Sequence, residues 1–60
     1  MKEYEIHANV SYVSGGTRYY NCYLDYVQAA SKAEAKRIYK AQLAAEGTRL
    51  ENAEIVEVEI

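Results

Sequence analysis

The chain has no phenylalanine, no tryptophan, no proline and a single cysteine in 60 residues. The lone Cys22 excludes an intrachain disulfide, and one histidine beside it supplies no Cys/His cluster at ligand spacing for a structural metal. Stability must then come from the core or from a partner, and no cofactor is expected. Apolar runs fall far short of the roughly 20 residues that cross a bilayer. The opening Met1–Glu5 also lacks the apolar segment of a signal peptide, so a soluble cytoplasmic chain is expected, with no membrane partner. The net charge of −2 provides no basic field to draw the chain onto nucleic acid or an anionic membrane. Linkers, internal repeats and low-complexity segments are missing too. Residues 1–60 read as one domain, near the lower size limit for independent folding, where only about 60% of the unfolded surface is buried.

All the aromatic content is instead tyrosine, seven in number, most of them in two alternating runs. Tyrosine places ring area at a surface while its hydroxyl stays satisfied by water or a partner, which hints at a contact surface. From Tyr4 to Tyr12, Tyr4, Ile6, Ala8, Val10 and Tyr12 alternate with Glu5, His7, Asn9 and Ser11, the pattern of a half-buried strand. A second run, Arg18 to Val27, alternates Tyr20, Cys22, Leu24 and Tyr26 with Tyr19, Asn21, Tyr23 and Asp25. Together they predict a hairpin. A two-residue Gly15-Gly16 turn would set Tyr12 opposite Tyr19 and Val10 opposite Asn21, mixing apolar and polar faces. A three-residue loop, Ser14-Gly15-Gly16 with Gly16 in a left-handed bulge, pairs Val10 with Tyr20, Ala8 with Cys22 and Ile6 with Leu24, and parity favours it.

Ser31-Lys32-Ala33-Glu34 is a capping box, the residues that follow to Glu46 are almost all good helix formers, and Gly47 suits the position just past a helix end. At helical spacing Ala35, Ile38, Tyr39, Gln42 and Leu43 form the stripe that packs on a sheet. A last run, Ala53 to Ile60, sets Val56, Val58 and Ile60 on one side and Ile55, Glu57 and Glu59 on the other. The order ββαβ, with the helix crossing back over one face, makes the first strand central. The expected fold is therefore α+β: a three-stranded antiparallel sheet of order 2-1-3 with one helix packed on one face.

One helix leaves the other sheet face open. In the expected register that face carries Glu3, Glu5, His7, Asn9 and Ser11, then Tyr19, Asn21, Tyr23 and Asp25, then Ile55, Glu57 and Glu59, with Glu5 opposite Asp25 in a destabilising like-charge pair. Two readings follow. The face is a docking surface for a basic protein, with Tyr19 and Tyr23 as anchors and Glu5, His7, Asp25, Glu57 and Glu59 around them; or it is a solvated acidic face whose tyrosines simply suit strands.

Other candidates for chemistry are weaker. His7 has no second ligand near it and reads as a solvated strand residue. Cys22, expected opposite Ala8 on the core face, reads as a small hydrophobe rather than a nucleophile. Glu5 and Asp25 could do acid/base work only in a pocket, which a flat open sheet does not offer. Lys32, Lys36, Arg37 and Lys40 are the one basic cluster; they could touch phosphates, but a solvated helix flank accounts for them. Gly15-Gly16 is no phosphate loop, since no helix follows it directly.

The stretch Val27-Gln28-Ala29-Ala30-Ser31-Lys32-Ala33-Glu34-Ala35-Lys36-Arg37-Ile38, preceded by the tyrosine-rich hairpin, resembles a recurring pattern in small proteins of bacteriophages and mobile elements, among them some anti-CRISPR proteins. The pattern marks a strand-to-helix junction and carries no functional residue across. The resemblance implies an inhibitor that acts by occlusion, its acidic sheet standing in for nucleic-acid phosphates. The expectation is a non-enzymatic protein-interaction module, such as a phage-encoded inhibitor that covers the basic surface of a host nucleic-acid-handling protein. The alternatives are a nucleic-acid binder that uses the basic helix flank with stacking tyrosines, and a homodimer built through sheet faces or free edges; monomer and dimer both remain open.

Overall fold

A computed structural model describes residues 1–58, as β1 (Lys2–Ser14), β2 (Thr17–Ala29), α1 (Lys32–Ala45) and β3 (Arg49–Glu57). The strands form one antiparallel sheet in the order β2-β1-β3 with α1 on one face, so the expected ββαβ arrangement is the observed one. β1 follows its alternation closely. Tyr4, Ile6, Ala8 and Val10 are buried, and Val27, Ala29, Ala35, Tyr39 and Leu43 complete the core, with Ile38, Leu50, Ala53 and Ile55 packed against it. Each full-sized aliphatic side chain buried here contributes about 1.5–3 kcal/mol.

α1 is closed at both ends as its sequence suggests. The Ser31 Oγ accepts the Glu34 N–H at 3.2 Å, while the Glu34 carboxylate reaches back to the Ala30 N–H at 3.4 Å. At the other end Thr48 N–H donates to Leu43 O and Gly47 N–H to Ala44 O, a Schellman closure that Gly47 permits with its φ of 75°. Ala35, Tyr39 and Leu43 of the predicted stripe are buried, Ile38 is half-buried and Gln42 stays exposed. Among the described residues no helix is long and apolar enough to cross a membrane.

The hairpin register differs from the expected one. Gly15 and Gly16 both take positive φ, 59° and 79°, and Ser14 pairs directly with Thr17, so the connection is a two-residue type I′ turn rather than the three-residue loop. Tyr12 therefore faces Tyr19, Val10 faces Asn21, Ala8 faces Tyr23 and Ile6 faces Asp25. The parity argument assumed that Tyr20, Cys22 and Leu24 belong to the core. They do not, because α1 covers β2 only near its end: Val27 and Ala29 are buried, whereas Tyr20 is 72% and Leu24 55% exposed. With no core demand along most of β2, the twist match of the type I′ turn sets the register.

The faces of β3 are likewise the reverse of those expected. Ile55 pairs with Ile6 and packs on the core together with Ala53 and Leu50, while Val56 sits opposite Glu5 and is 44% exposed. β3 also begins at Arg49, upstream of the expected Ala53. The pairing runs Asn9 with Asn52 and then Val10 with Leu50, leaving Glu51 as an extra residue in a β-bulge. The bulge lets Leu50 and Ala53, three positions apart, point the same way, and this breaks the period-two pattern that would have revealed the strand's true phase. The predicted core position Ile60 and site position Glu59 lie outside the described residues.

Candidate functional site

The face not covered by α1 is built from Glu3, Glu5, His7, Asn9 and Ser11 of β1, flanked by Gln28, Tyr26, Leu24, Cys22 and Tyr20 of β2 and by Val56, Glu54 and Asn52 of β3. Glu5 and His7 are therefore on the open face as expected. Tyr19, Tyr23, Asp25 and Glu57 are not: the register correction carries them to the helix side. Tyr19 stacks on Tyr12 with ring centroids 5.5 Å apart, and Tyr23 packs half-buried against the core. Asp25 accepts the Tyr39 hydroxyl at 2.6 Å, and Glu57 pairs with Lys2 at 3.2 Å. The expected Glu5–Asp25 repulsion does not arise, since Glu5 faces Tyr26 and Asp25 faces Ile6 on the other side of the sheet.

The open face is divided along its length. One half holds Glu3, Glu5 and Glu54 around Leu24, Tyr26 and Val56. Glu5 organises the centre of this half: its Oε1 accepts the Tyr26 hydroxyl at 3.4 Å and lies 3.6 Å from the His7 Nε2. The negative charge of Glu5, ahead of desolvation and the hydrogen bond itself, raises the Tyr26 phenol above its usual range. Leu24, Tyr26 and Val56 are 55%, 56% and 44% exposed, so apolar area and carboxylates reach solvent side by side.

The other half is cationic and knitted together. Arg18 donates to the Ser11 Oγ at 2.7 Å, the Ser11 hydroxyl donates to Glu51 Oε1 at 2.6 Å, and Arg49 Nε lies 3.3 Å from the same carboxylate. Ser11 is fully buried beneath this network, which ties both flanking strands to β1 at the bulge. Its hydroxyl both accepts and donates within this network. Cys22 is on the open face opposite Asn9, not on the core face opposite Ala8 as expected; it is exposed, with its Sγ 3.1 Å from the Asn9 Oδ1.

A small cleft of about 170 Å³ between β2 and α1 is lined by Tyr23, Asp25, Tyr26, Tyr39, Gln42, Leu43 and Glu46. Among the described residues that line it, Tyr39 and Asp25 are hydrogen-bonded to each other. Burial first, then the hydrogen bond to Asp25, pushes the Tyr39 phenol far above its usual range, so at neutral pH it is protonated and donates to Asp25. Among the described residues no group of three or more His, Cys, Asp or Glu side chains is placed to hold a metal ion.

Sequence reasoning missed Tyr20, Leu24, Tyr26 and Val56 as open-face residues. The signal for the first three was Gly15-Gly16 itself, a dipeptide suited to a two-residue turn, which fixes the parity of β2 once it is allowed to outweigh the apolar pattern. Val56 had no such marker, because the bulge at Glu51 is not written in the alternation. Comparison of the chain with protein-family models, characterised proteins and solved structures gives no match.

Proposed function

We propose that this chain is a non-catalytic protein-interaction module, acting in the cytoplasm, whose open sheet face docks on a protein surface that combines aliphatic contact with lysine or arginine. The observation that carries this reading is the composition of one half of that face: Leu24, Tyr26 and Val56 exposed beside Glu3, Glu5 and Glu54, with the face's arginines, Arg18 and Arg49, confined to the other half. Aromatic and aliphatic anchors ringed by charge are the ordinary make-up of an interface centre and rim. Carboxylates on an open sheet steer a cationic partner and select its orientation. A nucleic-acid-handling protein offers such a basic surface, and a chain that covers it acts as an occluding inhibitor, the role that the resemblance to small phage proteins of the anti-CRISPR type implies.

The test is retention of a host protein on immobilised chain. The wild type is expected to retain a basic protein that elutes as salt is raised. The pair Leu24→Asp with Tyr26→Asp is expected to lose it, and the set Lys36→Glu, Arg37→Glu and Lys40→Glu to keep it. Retention that survives the sheet substitutions and disappears with the helix set, or tight salt-sensitive binding of an oligonucleotide to the wild type, replaces this reading with nucleic-acid binding through α1.

A further inference from the structure

We infer that the free edge of β2 is the seam of a homodimer, in which a second copy lays its own β2 antiparallel alongside and continues the sheet. The type I′ turn makes Ser14 and Thr17 a hydrogen-bonded pair, so alternate residues of β2 from Thr17 onward bond to β1. Arg18, Tyr20, Cys22, Leu24, Tyr26 and Gln28 consequently turn their backbone N–H and C=O groups to the open side. Among the described residues, only the Cys22 N–H of this row has a side-chain partner, the Asn21 Oδ1 at 2.9 Å.

A long unpaired edge invites pairing unless it is blunted by bulges, proline or charge. The two free edges of this sheet differ in that respect. β3 carries the bulge at Glu51 and three carboxylates, Glu51, Glu54 and Glu57, against one Arg49, so two copies of it repel. β2 is 13 residues long, pairs with β1 without a bulge, lacks lysine and proline, and carries one Arg18 near its start and one Asp25 near its end. From Thr17 to Tyr26 every residue except half-buried Tyr23 is exposed. A neighbouring strand would cover side chains on both faces of β2 at once.

The charge pattern also selects the partner. Antiparallel pairing of two identical strands sets the start of each against the end of the other. Pairing about Cys22 puts Tyr20 opposite the second copy's Leu24, Tyr19 opposite its Asp25 and Arg18 opposite its Tyr26, whose hydroxyl already meets Glu5. Each Arg18 is thus carried toward the other copy's acidic half, and aromatic residues meet aliphatic or polar ones rather than their own kind. The two-fold axis runs normal to the sheet, so the interface is closed and isologous. Both open faces then lie on the same side of one six-stranded sheet, giving a bivalent surface.

The experiment follows association by light scattering and by hydrogen exchange across a dilution series of reduced protein. Expected is a dimer that forms with rising concentration while the amides of Tyr20, Cys22, Leu24 and Tyr26 slow and those of β3's free edge do not. The two Cys22 Cα atoms then stand about 5.5 Å apart, the spacing of a hydrogen-bonded antiparallel pair, within the roughly 4.4–6.8 Å that a disulfide spans. Oxidation by dissolved oxygen, which accepts the two electrons and two protons released by a pair of Cys22 thiols, is therefore expected to give a disulfide-linked dimer when the protein is oxidised concentrated and to leave the thiols unlinked when it is oxidised dilute. Tyr20→Pro, which removes an outward N–H that no intrachain bond uses, and Cys22→Lys, which sets two ammonium groups against each other across the axis, are both expected to abolish the dimer at low salt while keeping the far-ultraviolet circular dichroism of the fold. Val56→Arg, on the open face away from the edge, is expected to keep it. A wild type monomeric at every concentration, or a dimer that survives Tyr20→Pro and Cys22→Lys but is lost with Val56→Arg, overturns the proposal. The first result leaves the docking face untouched and the second assigns self-association to it.

Discussion

β1 and β2 are equal in length, 13 residues each, and pair along their whole extent, yet they are different kinds of strand. β1 is central, hydrogen-bonded on both sides and sealed by α1 on one face, so every second residue from Tyr4 to Val10 is buried. β2 is an edge, bonded on one side, and it meets α1 only near its end, so the same period-two alternation leads to solvent on both faces. Alternation in a sequence records which residues differ in polarity. It becomes a statement about burial only where something covers one face.

The sharpest way to break that contrast is a register test with an all-or-none outcome. Asn9 stands directly opposite Cys22 in a non-hydrogen-bonded pair, where Cα atoms are about 4.5 Å apart, inside the range a disulfide spans. Asn9→Cys is expected to form an intrachain disulfide with Cys22, and Ala8→Cys, opposite Tyr23 on the other face, to form none. A bond in the second variant and not the first would restore the three-residue loop.

Next in size is the cost of truncation in the two strands. Ile6→Ala in β1 empties a fully buried site and is expected to cost about 2–5 kcal/mol. Leu24→Thr in β2 keeps strand propensity at an exposed position and is expected to stay within about 0.5 kcal/mol. In protein dilute enough to be monomeric, equal losses by denaturant titration would mean that β2 is covered within the single chain; in concentrated protein edge pairing is expected to raise the Leu24 cost.

A smaller effect tests the place where, among the described residues, α1 holds β2 by a polar contact. Tyr39→Phe deletes the hydrogen bond to Asp25 and is expected to cost about 1–2 kcal/mol. The Tyr39 phenol is raised in the folded state, so the stability it supplies is complete below the unfolded value near pH 10 and is lost as pH rises above it. Wild-type stability is thus expected to fall more steeply than that of the phenylalanine variant above about pH 10. Parallel curves would show that Tyr39 ionises as freely folded as unfolded. The finest distinction lies in hydrogen exchange of dilute protein: amides from Tyr4 to Val10 are expected to be uniformly slow, while those of β2 alternate, with the outward set, from Arg18 to Gln28, exchanging fast.

These contrasts explain what could be read before the structure was known. The order of elements, the central place of β1, the Ser31 cap, the Gly47 closure and the Ala35, Tyr39 and Leu43 stripe were all legible, because each depends on a short-range pattern with one physical solution. The phase of β2 was not, because it rests on a competition between turn geometry and core demand, and how far α1 reaches over Tyr20, Cys22 and Leu24 is a tertiary fact. The phase of β3 was hidden by Glu51, whose extra residue shifts Leu50 by one step relative to Ala53. The site suffered accordingly: Glu5 and His7, on the well-read strand, were placed on the correct face, whereas Tyr19, Tyr23, Asp25 and Glu57 were exchanged for their sequence neighbours.

Beyond Ser11 the hairpin runs on without β3, as a two-stranded ribbon with Tyr12 and Tyr19 stacked at an interplanar angle of 23°. In a chain without tryptophan or phenylalanine, every near-ultraviolet transition belongs to tyrosine, and two phenols held face to face couple their transitions while isolated ones do not. The tip thereby carries its own optical label. Loss of the coupled circular-dichroism band on heating reports fraying of the ribbon alone, separately from the amide signal of the body below, so the order in which the two parts melt can be watched in the unmodified protein.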